Sequence, residues 1–388
     1  MENLFMKIVI IIPTYNELGN IEKMIPVLEN DVFPHIKNHT VSILVVDDKS
    51  PDGTGNAVKD FMKKWHNIVL LTGEKKGLGF AYVRGMKYAM DEMHADAVME
   101  FDSDFQHDPN DIPRLIKAMD EGADYVIGSR YIPGGSIPKA WGLDRKILSV
   151  FGSLFTRIVW LNFEIHDMTS GYKLTRTSFL KRVDLGHLLS KNFAYKMQIL
   201  HDIVKLKAKV TEVPIVFYDR EQGKSKINVK DQFESFYVVL RLAIYDRKRF
   251  IKFLIVGGTG FILQFLTVYA AIFLGAQQFI AAMIGGEIAI LSNFILNNLW
   301  TFGDTKSIAQ QGSFLRRLVK FNVASLASIG IQGLVVYIAV KVLGEKILVL
   351  GVSLHTSIAI LFPTIILLVI PLNYVIYNKV VWKTHLKK

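Results

Sequence analysis

Cysteine is absent from the 388 residues, which excludes disulfides and thiolate metal sites. Charge is absent from long stretches of the C-terminal part. Phe253–Ala276 and Phe321–Val340 carry none, Phe279–Phe302 carries only Glu287, and Ser353–Asn378 has no Lys, Arg, Asp or Glu and a single histidine, His355. Each stretch is long enough to cross a bilayer as a helix, and four in one block make a buried core helix a poor explanation for them. The block also lacks a pattern of acidic residues suited to a proton or ion relay. At the other end, Ile8–Ile12 is a short apolar run stopped by Pro13 with no small-residue cleavage site, so a signal peptide is not expected there.

What is present divides in two. Hydrophobic residues reach 51% and mean hydropathy is +0.28, but up to about Asp246 charges and apolar runs are mixed as in a globular domain. The expected organisation is a globular domain over 1–228, an interfacial helix and linker over 229–249, and a membrane domain over 250–388 with spans near 253–276, 279–302, 321–340 and 353–378. Lys and Arg gather before the first span (Arg247, Lys248, Arg249, Lys252), between the second and third (Lys306, Arg316, Arg317, Lys320) and after the fourth (Lys379, Lys383, Lys387, Lys388). That bias places both termini and the globular domain in the cytoplasm of a cell-membrane protein. The net charge of +11 then finds its partner in anionic lipid headgroups, with no nucleic acid required.

The membrane block repeats itself. Lys252-Phe253 and Lys320-Phe321 open the first and third spans, each followed at the same interval by Gln264 or Gln332. Asn293-Phe294 with Asn298 is echoed by Asn373-Tyr374 with Asn378. A duplicated helical hairpin is expected, the two copies parallel, with its polar side chains facing one another.

In the globular part, strands near Lys7–Ile12, Ser42–Val46, Ile68–Leu71 and Ala97–Phe101 alternate with helices near Gly19–Glu29, Gly53–Trp65 and Leu78–Glu92. This is the α/β pattern of right-handed βαβ units in a doubly wound, mainly parallel sheet, which binds ligands at the carboxyl ends of its strands. Polar clusters stand at those ends: Pro13-Thr14-Tyr15-Asn16-Glu17, then Asp47-Asp48-Lys49-Ser50-Pro51-Asp52-Gly53-Thr54, then Asp102-Ser103-Asp104-Phe105-Gln106. Carboxylate and amide oxygens at every second position in the last suit Mg²⁺ or Mn²⁺ with a substrate diphosphate. A nucleotide fits the other two. Gly77-Leu78-Gly79 lacks the third glycine of a dinucleotide fingerprint and follows the third strand, so it is read as a tight turn or close approach to a ligand.

Gly128-Ser129-Arg130-Tyr131 follows a strand at Tyr125–Ile127, and the Arg130 fork could hold a phosphate. Asp219 through Lys226, after an apolar strand at Val213–Phe217, reads as a cationic phosphate lid carrying Arg220 and Lys226. Leu143–Trp160, with a stripe of Ile147, Phe151, Leu154 and Ile158, and Val229–Tyr245, with Phe233, Phe236, Leu240 and Ala243, are expected as interfacial helices.

These motifs, with Asp167-Met168-Thr169-Ser170-Gly171-Tyr172, resemble family 2 glycosyltransferases of the GT-A fold, most closely those that make dolichol-phosphate mannose. The membrane half, with Asn297-Asn298-Leu299-Trp300-Thr301-Phe302, resembles the GtrA-type four-helix domain. The resemblance implies that Pro13, Tyr15, Glu17, Val46 and one of Asp47 or Asp48 bind the nucleoside, and that Asp102, Ser103, Asp104 and Gln106 lie at the diphosphate and its metal, with Asp102, Asp104 and Gln106 as ligands. It further implies that Arg220 and Lys226 close over the sugar diphosphate, that Arg130, Arg145 and Ser149 face the lipid phosphate, and that Asp104, Arg130 and Arg220 act in catalysis. GDP-mannose as donor and dolichyl or polyprenyl phosphate as acceptor follow. An ionised phosphate monoester needs no general base, so direct displacement with inversion is expected. UDP-glucose as donor, or a lipid-linked-sugar flippase with a nucleotide-binding domain, are the alternatives; a processive synthase is disfavoured because no Gln-x-x-Arg-Trp segment occurs.

Overall fold

The computed structural model describes residues 5–219, 229–303, 313–349 and 352–382, which fall into two compact units, Met1–Ala243 and Ile244–Lys388. In the first, chain order runs β1 (Lys7–Thr14), α1 (Leu18–Val27), β2 (Thr40–Asp47), α2 (Thr54–Lys64), β3 (Ile68–Thr72), α3 (Leu78–Asp91), β4 (Ala97–Glu100), α4 (Ile112–Asp120) and β5 (Tyr125–Ser129). Then follow α5 (Leu143–Trp160), β6 (Lys173–Arg176), α6 (Thr177–Leu180), α7 (Tyr195–Lys205) and β7 (Val210–Pro214), while α8 (Val229–Phe273) crosses the boundary after Ala243. One seven-stranded sheet has the order β3-β2-β1-β4-β6-β5-β7, and only β6 runs against its neighbours.

The position of β1, between β2 and β4, explains why its sequence is apolar without interruption. Ile8, Ile10 and Ile12 point into one core layer with α1 and α4, while Val9 and Ile11 point into the other with α3 and α7. A strand covered on both faces needs no polar alternation. Its register sets Thr14 beside Asp47 and Ile11 beside Glu100, so the carboxyl ends of β2, β1 and β4 lie in a row.

The glycine pair after β3 proves to serve the protein's own packing. A Cβ on Gly77, whose φ is +114°, would stand 2.6 Å from the Lys191 carbonyl oxygen, and one on Gly79 2.6 Å from the Asn192 carbonyl oxygen and 2.8 Å from the Tyr195 ring. Both glycines let the loop before α7 lie on the start of α3. Gly79→Ala is therefore expected to cost about 1–3 kcal/mol as an overpacked site, read as a lowered unfolding midpoint with the detergent held constant.

Three boundaries differ from the sequence pattern. The helix starting at Val229 does not stop for a linker but continues to Phe273, since Arg247, Lys248 and Arg249 are good helix formers. Ser353 to His355 are not helical: Val352–His355 pairs antiparallel with Lys346–Val349, and the fourth apolar helix runs Ala359–Val381. Hydropathy measures apolar content and does not separate a hairpin from a helix. The strand expected at Val213–Phe217 is likewise paired over Val210–Pro214.

In the second unit, helices long and apolar enough to span a membrane number four among the described residues. The repeated positions make equivalent contacts. Lys252 donates to the Trp300 carbonyl (3.1 Å) as Lys320 does to Val380 (3.3 Å), and Phe253 meets Tyr374 as Phe321 meets Phe294, at 5.6 Å each. Asn373 accepts from Ser328 (2.6 Å), whereas Asn293 lies over Gly260, where a Cβ would come within 2.2 Å of its Oδ1. Phe302 and Trp382 stack at 4.3 Å.

Candidate active site at three strand ends

Hydrogen bonds stitch the first two loops together. Thr14 Oγ1 donates to Asp47 Oδ1 (3.0 Å), the Asn16 N–H to Ser50 Oγ (3.0 Å), the Glu17 N–H to Thr54 Oγ1 (3.2 Å) and the Leu18 N–H to Asp52 Oδ2 (3.1 Å). Asp47 also accepts from the Ser50 N–H (3.0 Å) and hydroxyl (2.5 Å), which fixes its carboxylate in the strand-end turn. Beside it an open cavity of about 220 Å³ is lined by Asp47, Ser50, Gly55, Asn56, Lys59 and Thr72. Tyr15 carries the Lys75 ammonium 3.4 Å above its ring. Asp48 pairs with Arg84 at 2.8 Å, yet burial raises its carboxyl above the usual range.

The third loop holds the acidic turn. Asp104 Oδ1 accepts from the Gln106 N–H (3.2 Å), Gln106 Nε2 donates to the Tyr218 carbonyl (3.3 Å), and Asp102 Oδ1 accepts from the Tyr82 hydroxyl (2.7 Å). Ser103, Asp104 and Gln106 are buried. Backbone strain is shared among the loops: Asn16, Lys49 and Phe105, one in each, have φ of +56°, +54° and +58°. Non-glycine residues held in the left-handed region cluster at functional sites, where surrounding bonds over-determine them.

Among the described residues no group of three or more His, Cys, Asp or Glu side chains is arranged to hold a metal. Two carboxylates and an amide in one turn nonetheless fit a hard cation that completes its shell with diphosphate and water oxygens. The donor set suits Mg²⁺ or Mn²⁺. His107, next in the chain, is packed between the rings of Tyr172 and Phe217 at 4.9 Å each, and burial pushes its pKa down to about 3, leaving it neutral.

Other expected site residues are placed differently. Arg130 already holds the Asp167–Thr169 turn: Nε and Nη2 donate to Asp167 at 2.7 and 2.8 Å, and Nη2 also to Thr169 Oγ1 at 2.8 Å. Val46 has its side chain in the core against Gly85, and Pro13 pairs with it in the sheet. Arg145 lies 3.8 Å over the Trp141 ring and 3.8 Å from the Asp219 carboxylate, and Ser149 shares a 2.5 Å hydrogen bond with the Tyr131 hydroxyl. Both sit in the first half of α5, whose stripe of Ile147, Phe151, Leu154 and Ile158 faces outward. Of the second stripe, Phe233 and Leu240 are exposed, Phe236 packs on Phe155 at 4.9 Å, and Ala243 is buried. Arg220 and Lys226 lie outside the described residues.

Tyr82, Arg84 and Lys75 escaped sequence reasoning. Tyr82 lies on the buried stripe of α3 and reads there as core, and only its partner Asp102 reveals a further use.

Residues 9–184 match the model for glycosyl transferase family 2, and residues 252–382 match that for the GtrA/DPMS transmembrane domain. A dolichol-phosphate mannosyltransferase of Pyrococcus furiosus is 34% identical over 98% of this chain and 100% of its own. An undecaprenyl-phosphate mannosyltransferase of Micrococcus luteus is 37% identical over 58% of this chain and 88% of its own. A mannosyltransferase from Pyrobaculum calidifontis, solved with GDP-Man and Mn²⁺, aligns with 76% of this chain and 88% of its own at 16% identity and a TM-score of 0.39. The chain belongs to glycosyl transferase family 2, among the polyprenyl- and dolichol-phosphate mannosyltransferases that carry a GtrA/DPMS membrane domain. It is an integral membrane glycosyltransferase.

Proposed function

We propose that the protein transfers mannose from GDP-mannose to the phosphate of a dolichyl or other polyprenyl lipid, with inversion at the anomeric carbon. The observation that carries this reading is the convergence of the Tyr15, Asp47/Asp48 and Asp102/Asp104 loops at adjacent strand ends in a unit whose α5 displays an exposed apolar stripe. Tyr15, Glu17, Pro13 and the Asp47 side bind the nucleoside, with the cavity beside Asp47 taking the base. Asp104, Asp102 and Gln106 would hold Mg²⁺ or Mn²⁺, which when bound supplies Lewis-acid stabilisation of the departing diphosphate.

The lipid phosphate is ionised near neutral pH and is itself the nucleophile. Its oxygen forms the new bond to the anomeric carbon as the bond to the nucleoside diphosphate breaks, the electron pair leaves with GDP, and no proton moves. The protein's task is to bring two anions together in line. Arg145 and Ser149 stand where α5 meets the loop after β5 and serve the lipid phosphate. Arg130 acts one step back, by fixing the Asp167–Thr169 turn. Arg220 and Lys226 are assigned to the sugar diphosphate by family resemblance. Removing divalent ions with a chelator is expected to stop transfer and Mg²⁺ or Mn²⁺ to restore it; full activity in excess chelator would exclude this role for the acidic turn.

The globular unit and both termini are proposed to be cytoplasmic. The absence of cysteine makes this directly testable. In intact cells an impermeant maleimide is expected to label Gln277→Cys, between the first two spans, and Asp60→Cys only after lysis; the reverse pattern contradicts the orientation.

A further inference from the structure

Behind the acidic turn lies a polar cluster for which the transfer reaction gives no account. Tyr82 projects from the sheet-facing side of α3 and is 1% exposed, yet its hydroxyl finds Asp102 Oδ1 at 2.7 Å. Its ring lies against that of Tyr195, at 5.6 Å and 24° between planes, and the Tyr195 hydroxyl donates to Oε2 of buried Glu100. Asp102 itself is half-buried, and its other oxygen borders Gly171. Gly171 has no side chain, and the point where its Cβ would sit is 3.0 Å from Lys196 Nζ, 3.6 Å from His107 Nε2 and 3.7 Å from Asp102 Oδ2.

This arrangement has a consequence for cation binding. A carboxylate free to rotate must lose rotamer entropy when an ion fixes it, and partners that orient a ligand beforehand remove that cost. A phenol occupies one carboxylate lone pair and adds no positive charge of its own, so it orients the group and leaves it anionic toward a cation. An Arg or Lys in the same place would do the first and undo the second.

We propose that Tyr82 is a positioning residue for the cation site: it sets Asp102 before the ion arrives, with Tyr195 and Glu100 holding its ring in place. This rests on the reading that Asp102 and Asp104 face a divalent ion with the nucleotide diphosphate. Tyr82→Phe keeps the ring and its stack and removes only the donor.

The test is a Mn²⁺ titration of the full-length protein in detergent with GDP present, following free Mn²⁺ by electron paramagnetic resonance, which yields affinity and stoichiometry separately. Tyr82→Phe is expected to bind Mn²⁺ about tenfold more weakly at unchanged stoichiometry, within the range for loss of a ligand's orienting partner. Asp104→Ala is expected to show no binding at those concentrations. If Asp104→Ala loses Mn²⁺ and Tyr82→Phe keeps wild-type affinity, or loses only stoichiometry through unfolding, the positioning role is overturned and the site stands. If Asp104→Ala binds like the wild type, the assignment of the site itself fails.

Discussion

Asp104→Ala in the full-length chain is expected to slow mannose transfer to polyprenyl phosphate at least about a thousandfold, some 4 kcal/mol of transition-state stabilisation. The leaving group is a nucleoside diphosphate whose charge grows as the bond to the sugar breaks, and the acidic turn after β4 is where a cation would meet it. Phe105, held at φ +58°, and the Gln106 N–H on Asp104 Oδ1 aim that carboxylate before substrate arrives. Radiolabel extracted into the lipid phase measures the effect. A variant retaining a tenth or more of wild-type transfer would take Asp104 out of the reaction.

Arg130→Leu is expected to lower stability by about 3–5 kcal/mol, because it strands the Asp167 carboxylate, whose side chain is 0% exposed. In the wild type, Asp167 is desolvated, but the Arg130 charge and hydrogen bonds overcome this and hold its carboxyl below its ordinary 3.8. A folded-state value below the unfolded one means the pair's contribution is complete above that ordinary value and is lost as pH falls through the lowered one. Arg130→Leu loses it at neutral pH too, and an unfolding midpoint about 10 °C lower is the expected readout. Arg130→Leu/Asp167→Leu is expected to recover much of the loss. A single variant as stable as the wild type would show that the pair is not the anchor of the Asp167–Thr169 turn.

The legible parts of the sequence were those whose information is local. Ile8 to Ile12 announce a strand buried on both faces, the stripe of Leu143–Trp160 gives α5 its full length, and each polar cluster follows directly on an apolar run. What stayed hidden depends on partners distant in sequence. Arg130 and Asp167 stand 37 residues apart, so the arginine read as an available phosphate fork, and the glycines after β3 read as a tight turn or a ligand approach because the 191–195 loop that fills them is more than a hundred positions away. Tyr82 was illegible for another reason: a tyrosine on an apolar stripe looks the same whether its hydroxyl is idle or holds a carboxylate. In the membrane half the repeat was readable as spacing, but its partners emerged only from the packing of Phe253 on Tyr374 and Phe321 on Phe294.

The central claim is that this crevice passes mannose from a guanine nucleotide to a lipid phosphate. Its most direct test supplies purified full-length protein with polyprenyl phosphate, a divalent ion, and either GDP-mannose or UDP-glucose labelled in the sugar. Label entering the lipid phase from GDP-mannose, and not from UDP-glucose, is the result this account predicts. Label entering only from UDP-glucose, or from neither donor, would contradict it.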